Sequence, residues 1–288
     1  MQAVFTADDF GDSRAVNTAV IRAHKNGTLT AASLMAGGQA FREAADMARE
    51  NRSLALGLHV VILAGKAVLP PKEIPHLVDA QGYFRSDPLQ AGIYYFFSPT
   101  ARKELDREIT AQFERFARIG LPLSHVDGHE HMHLHPAVLP LILPLAEQLN
   151  ACGIRIPRDD FLLAIRHDSS RFWQKATWNF VFRLLTTWCI TQLRDRSLIW
   201  TEKVFGMMQS GCMREDYVLQ VLRQIDVPTA EFYFHPSIGP ESVPLGPNTT
   251  DFATLLSPAI RAVLEERCIQ PSSYPRIRSR QGVLCSSR

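Results

Sequence analysis

The sequence predicts an α/β protein built around a parallel sheet, and two observations carry that prediction. Short apolar runs alternate with helix-patterned stretches, which is the signature of strand–helix–strand units. Several of those runs also stop on clusters of polar, ligand-type residues, as strands do where parallel α/β folds collect their functional groups.

The elements follow in order. QAVFTA (2–7) is a strand that stops at Asp8-Asp9-Phe10-Gly11-Asp12, and residues 17–25 continue with helical spacing. LTAASLMAG (29–37) is the next strand, FREAADMARENR (41–52) a helix and LALGLHVVI (54–62) a third strand. Residues 65–100 are rich in Pro and Gly and predict a long surface excursion in place of another strand–helix unit. TARKELDREITAQFERFARIG (100–120) sets Leu105, Ile109, Phe113 and Phe116 on one face and ends at Gly120, an amphipathic helix. PAVLPLILPLAEQLNACG (136–153) predicts a helix kinked by Pro140 and Pro144. IRIPRD (154–159) is a short strand, and AEFYFHPSIG (230–239) is another that ends on a polar cluster.

This organisation predicts one domain over residues 1–270, with 160–213 as a helical insertion or lid and 271–288 as a flexible basic tail. The tail assignment rests on the lack of any acidic residue after Glu266. A net charge of +2 gives no polyanion-binding signal, so no nucleic-acid partner is expected. Five scattered cysteines without a CxxC pair suggest neither a disulfide framework nor a thiolate zinc site. The start, MQAVFTADDF, lacks the charged and apolar regions of a signal peptide, which predicts a cytoplasmic protein.

HVDGHEHMHLH (125–135) holds five of the ten histidines. Each of them, and Asp127, is at an odd position, so an extended chain would present all six on one face. Eleven extended residues span about 35 Å, whereas metal–nitrogen bonds are about 2 Å, so one ion cannot use the whole run. A helical reading would pair His125 with His129 and His131 with His135, but Gly128 and Pro136 weaken it. A solvated histidine-rich loop is the plain alternative. A metal site therefore needs partners from elsewhere, and Asp8-Asp9 and His59 stand at two other predicted strand ends. Alone, Asp8-Asp9 reads as a turn or helix cap, and His59 or His235 as a hydrogen-bonded strand histidine.

Taken together, TADDFG (6–11), LGLHVVI (56–62), HVDGHEHMHLHP (125–136) and FYFHPSIG (232–239) resemble, in order, the motifs of the YdjC-like (chitooligosaccharide deacetylase) family. The resemblance covers at least residues 1–240. It implies a (β/α)-barrel-like fold, a distorted TIM-type barrel, and hydrolysis of an N-acetyl group from an amino sugar with one divalent metal ion. The family's metal ligands fall on Asp9, His59 and His129, and its catalytic base on Asp8. His235 is the candidate general acid, and Glu231 or Asp127 would orient a histidine. His125 and Asp127 are expected as supports, His131 and His133 as cleft residues that touch sugar, Arg155 as a supporting or substrate-contacting cation, and His135 as the start of the next helix. Two imidazoles and a carboxylate suit Zn2+, while the family is associated with Mg2+, so both ions stay open.

The segment RFWQKATWNFVFRLLTTWCITQLRDRSLIW (171–200) contains all four tryptophans. As a helix it sets Asn179, Arg183, Thr187 and Thr191 in one polar stripe beside a wide apolar surface, with Arg171, Lys175, Arg194, Arg196 and Lys203 around it. Two readings fit: a helix lying at the inner membrane face, or a buried or homo-oligomer-forming helix. This segment and EKVFGMMQSGCM (202–213) resemble the hopanoid-biosynthesis-associated HpnK branch. That resemblance implies an acetylglucosaminyl bacteriohopane polyol as substrate. The alternatives are a deacetylase of soluble chitooligosaccharides and a non-catalytic lipid-binding protein. A phosphoesterase would want more cations than Arg155 and Arg158 near the motifs.

Overall fold

The protein is described here by a computed structural model over residues 1–239 and 246–280. Gln2–Phe10 (β1) leads into Arg14–Asn26 (α1), followed by Ala31–Met35 (β2), Phe41–Glu50 (α2) and Ala55–Val60 (β3). Next come Pro88–Phe97 (α3), Pro99–Ala117 (α4), His125–Gly128 (β4), a short 3-10 turn at His129–Leu134, Leu139–Gln148 (α5) and Gly153–Ile154 (β5). Phe161–His167 (α6), Phe172–Leu193 (α7), Lys203–Phe205 (β6), Glu215–Gln224 (α8) and Thr229–Phe234 (β7) follow. Thr249–Leu255 (α9), Pro258–Glu266 (α10), Gln270–Ser272 (β8) and Tyr274–Arg280 (α11) complete the described chain.

All strand pairings are parallel, in the order β5-β4-β3-β2-β1-β7-β6, with β8 added beside the start of β1. The sheet curls into a half-barrel of the distorted TIM type. Its edges approach one another through the stretch after α7: Ile199 bridges Gly153, and the Val204 N–H donates to the Arg158 carbonyl at 3.4 Å. Strand alternation sorts the side chains. Phe5, Ala7, Leu34, Leu58 and Val126 belong to the main apolar core with the helices, while Val4, Ala31, Ile199, Tyr274 and Ile277 form a separate apolar floor. Between floor and rim the strands carry a buried polar layer: Thr6, Asp8, Ser33, His59, His125, Asp127 and Glu231.

Three sequence expectations need correction. The 65–100 excursion contains α3, whose start has a physical signal: the Asp87 carboxylate accepts the N–H groups of Leu89 and Gln90, and Pro88 occupies the first turn. The 160–213 insertion is not wholly helical, because β6 lies inside it and pairs with β7, with Phe205 stacked on Phe232. The tail is ordered as far as Arg280: Gln270–Ser272 pairs with β1, and Tyr274 and Ile277 are buried. Residues 281–288 lie outside the described part. Smaller differences concern residues 154–159, of which β5 takes only Ile154, and Pro140, which falls in the first turn of α5 and leaves only Pro144 interior.

Candidate metal centre and active site

The site forms at the carboxyl ends of the strands. Asp8 and Asp9 close β1, His59 nears the end of β3, Asp127 and His129 come from the end of β4, Arg155 directly follows β5, and His235 directly follows β7. Register places His59 opposite Asp127, so the carboxylate lies beside the imidazole. The His59 Nδ1–H donates to Asp127 Oδ1 at 2.8 Å. Ser33 donates to the other oxygen of Asp127 at 2.6 Å, which fixes the carboxylate.

Regular strand alternation would send the neighbours Asp8 and Asp9 to opposite faces. The chain avoids this with an irregular register between Ala7 and Phe10 and a left-handed backbone at Asp9, φ 59°. Both carboxylates therefore reach the same cleft. Asp9 Oδ1 lies 3.2 Å from His129 Nδ1 and 3.5 Å from His59 Nε2, and one ligand atom each of Asp9, His59 and His129 lies within 4.8 Å of the others. Burial opposes the charge on Asp9, but the His129, His235 and His59 rings overcome it and hold the carboxyl well below its usual range. Burial likewise pulls the His59 imidazole down, and Asp127, Asp8 and Asp9 together carry it up to about 9.

Asp8 lies on the Arg155 side of the same cleft, with a carboxylate oxygen within 4.8 Å of ligand atoms of His59 and Asp127. Its two oxygens accept from Arg155 Nη1 and Nη2 at 2.6 and 2.8 Å. Arg155 also reaches Asp127 Oδ2 at 2.8 Å and donates to Glu231 from Nε and Nη2 at 3.1 and 2.9 Å, and it stacks over the Tyr233 ring at 4.7 Å. The guanidinium is fully buried and is held charged, against burial, by Asp127, Asp8 and Glu231. It braces the carboxylates from within and is not placed to meet substrate at the surface. Glu231 orients this arginine and no histidine.

The histidine run does not keep one face. Glu130 and His131 both adopt left-handed backbone, φ 51° and 57°, which ends the extended geometry just after His129. The five rings consequently do five different things. His125 is buried below the cleft, where Gly57 leaves room for it: a Cβ there would lie 2.5 Å from the ring. His129 reaches the cleft. His131 approaches the Tyr233 hydroxyl at 3.1 Å and the Phe182 ring edge-on. The His133 Nε2–H donates to the Arg155 carbonyl at 2.9 Å. His135 packs against Phe96 and accepts the Ala137 N–H.

Two expectations about this run fall. His133 is fully buried and bonded to the Arg155 carbonyl, so it does not line an open cleft for sugar, while His131, as exposed as His235, turns its Nε2 to the Tyr233 hydroxyl. His135 ends the 3-10 turn, and the next helix begins at Leu139. Burial lowers the basicity of His125, His131 and His133, with His133 near 4. These rings are neutral hydrogen-bonding parts of the core.

The donor set can be tested for a metal ion. With its Nδ1 engaged by Asp127, His59 is left with a buried Nε2 that has no hydrogen-bond partner among the described residues and that faces Asp9. Three buried carboxylates (Asp8, Asp127, Glu231) pair with the single guanidinium of Arg155, and a fourth, Asp9, lies against His59 and His129. The negative charge that favours a proton on the otherwise unpartnered His59 Nε2 fits equally a divalent cation taking that proton's place, held by Asp9, His59 and His129. His235, with its buried Nδ1 also unpartnered, stands across from them; its backbone N–H is fixed by Asp251 at 2.8 Å.

Sequence reasoning missed Tyr233, Ser33, Asp251 and Tyr274. Strand alternation could have found the first two, since Ser33 and Tyr233 share the inward parity of their strands. Asp251 and Tyr274 had no local signal.

A curled parallel sheet with helices outside it, and a carboxylate–imidazole cluster at its carboxyl end, defines an α/β half-barrel protein with a candidate metal centre. The chain belongs to the YdjC-like protein family, whose model matches residues 2–266. It is 39% identical over 148 residues to a carbohydrate deacetylase of Brevibacillus brevis, covering 51% of this chain and 56% of that protein. Over 147 residues it is 37% identical to a carbohydrate deacetylase of Geobacillus stearothermophilus, covering 50% and 56%. The chain thus spans about half the length of the curated relatives it matches. A solved protein of Enterococcus faecalis V583, described as a candidate cellobiose-phosphate cleavage protein, superposes with a TM-score of 0.71 at 22% identity, covering 96% of this chain and 98% of that one. That likeness shows the fold.

Proposed function

We propose that this chain is a metal-dependent N-deacetylase of an acetylated amino sugar. The observation that carries the reading is the buried, unpartnered His59 Nε2 facing Asp9 and His129, with the Asp8 carboxylate beside them. Asp9, His59 and His129 would hold one divalent ion, Zn2+ or Mg2+, which when bound supplies Lewis acidity toward an amide carbonyl and lowers the pKa of water. Asp127 keeps the Nδ1–H of His59 engaged, so that Nε2 is the free nitrogen. Asp8 accepts the proton of the attacking water, and its two bonds from Arg155 hold it oriented. His235, directly after β7, donates a proton to the departing amine. The names of the curated relatives, carbohydrate deacetylase, support this chemistry.

The finer reading is that the sugar is carried on a lipid, an acetylglucosaminyl hopanoid, and that the protein works at a membrane surface. Two helices support it. On α7, Trp173 is 81% and Phe180 64% exposed, with Val181 and Leu184 beside them, and on α3, Leu89 is 71% and Phe97 72% exposed. Both helices rest on the turn that carries His129, through Phe182 against His131 and Phe96 against His135. Neither helix contains an acidic residue, so the exposed apolar face carries no charge that would repel an anionic bilayer. No helix among the described residues is long and apolar enough to cross a membrane.

The test is acetate release from N-acetylglucosaminyl lipid and from soluble N-acetyl oligosaccharides, with and without chelator. Release abolished by chelator and restored by metal is the expected result. No acetate from either substrate with metal supplied would overturn the deacetylase reading, and release from the soluble substrate alone would overturn the lipid one.

A further inference from the structure

We infer that Tyr274, in the last described helix, is a positioning residue for the candidate base Asp8, acting through Glu231 and Arg155. It lies beyond residues 2–266, the stretch that the family model matches. The observations form one unbroken chain of buried contacts. The Tyr274 hydroxyl donates to Glu231 Oε2 at 2.7 Å. The other oxygen of Glu231 accepts from Thr6 at 2.7 Å and from Arg155 at 2.9 and 3.1 Å. Arg155 then holds both oxygens of Asp8. Tyr274, Glu231 and Arg155 are all fully buried, and Asp8 is 2% exposed.

The barrel is shaped to receive this ring. Tyr274 stacks on His125 with centroids 4.9 Å apart and planes 15° from parallel. On another side lies Gly153, where an added Cβ would come within 2.2 Å of the ring. Parallel pairing of Gln270–Ser272 with β1 delivers the residue to this place, and Ile277 anchors the same helix in the apolar floor. Burial beside Glu231 keeps the phenol protonated, so it remains a donor.

The physical consequence concerns Glu231. With the hydroxyl present, each carboxylate oxygen has its own donors. Without it, Oε2 is a buried charged oxygen lacking a partner, a costly state. The cheapest repair is for Arg155 to turn toward Glu231, and that weakens its two-point grip on Asp8.

The kinetic arm of the test rests on the deacetylase reading, and a structural arm does not. Tyr274→Phe keeps the ring and removes only the hydroxyl. Expected are a fall in kcat of about tenfold with KM within about twofold, and a crystal structure in which Arg155 keeps one bond to Asp8. Ile277→Ala loosens the helix but leaves the hydroxyl, and should lower Tm while kcat stays within about twofold. Unchanged kcat in Tyr274→Phe, an intact two-point Arg155–Asp8 pair in its crystal structure, or an equal loss of kcat in Ile277→Ala would each overturn the inference. A wild-type protein that releases no acetate would sink the proposed function instead, and the Arg155–Asp8 geometry of Tyr274→Phe would still decide the positioning role.

Discussion

Arg155 holds both carboxylate oxygens of Asp8, at 2.6 and 2.8 Å, inside a barrel where the guanidinium is wholly buried. The planar fork matches the carboxylate, and Lys cannot reproduce that geometry. Arg155→Lys keeps the charge and loses the two-point hold. It should lower kcat by about 100-fold, the scale of loss for a reacting group displaced by about 1 Å, with little change in KM. Steady-state acetate release checks this, and a loss confined to KM would contradict it.

Asp127 fixes which nitrogen of His59 is free. Asp127→Asn can still accept the Nδ1–H but no longer balances the imidazole or Arg155. Metal affinity should fall about 10- to 100-fold, as for other outer partners of metal-binding histidines. Titration calorimetry with zinc reads the change directly.

His133 gives a pH signature of stability. Its folded pKa, near 4, lies below the ordinary 6.5, because burial disfavours the charged ring. The folded state therefore binds fewer protons than the unfolded one between these values, and stability present above about pH 6.5 is lost as pH falls through 4. The loss from this one group is about 3 kcal/mol at full protonation. Urea melts at pH 7.5 and pH 5 should show a smaller difference for His133→Gln than for the parent protein. An equal difference in both would mean that other groups set the acid limit.

The exposed apolar side chains of α7 separate surface from core. Replacing Trp173, Phe180 and Leu184 together by Ser should leave Tm nearly unchanged, as exposed positions do. Each apolar side chain taken into a bilayer interface contributes on the order of 1 kcal/mol or more, so cosedimentation with anionic vesicles should weaken by more than about tenfold. Activity on a soluble oligosaccharide should persist. A large drop in Tm would show instead that these residues pack inside an assembly.

Most strands and helices were legible because their apolar spacing follows directly from which face is buried. Phe5, Leu34 and Leu58 alternate as inner strands require, and Leu105, Ile109, Phe113 and Phe116 follow a helical stripe on α4. Grouping Asp9, His59 and His129 depended on motif resemblance, because the three lie on strands far apart in sequence. What stayed hidden were departures from regular geometry. A left-handed φ at Asp9 turns two adjacent carboxylates into one cleft, and two left-handed residues after His129 scatter a run whose alternation promised a single face. Tyr274 was invisible for another reason: a basic, weakly periodic tail gives no local sign that β8 pairing will carry one ring into the barrel.

The most direct test strips the protein with chelator and adds zinc or magnesium back, counting bound metal and released acetate in the same samples. Acetate release should rise with occupancy, saturate at one ion per chain, and vanish in His129→Ala. Full activity in the stripped protein, or undiminished activity in His129→Ala, would contradict a hydrolytic centre built on Asp9, His59 and His129.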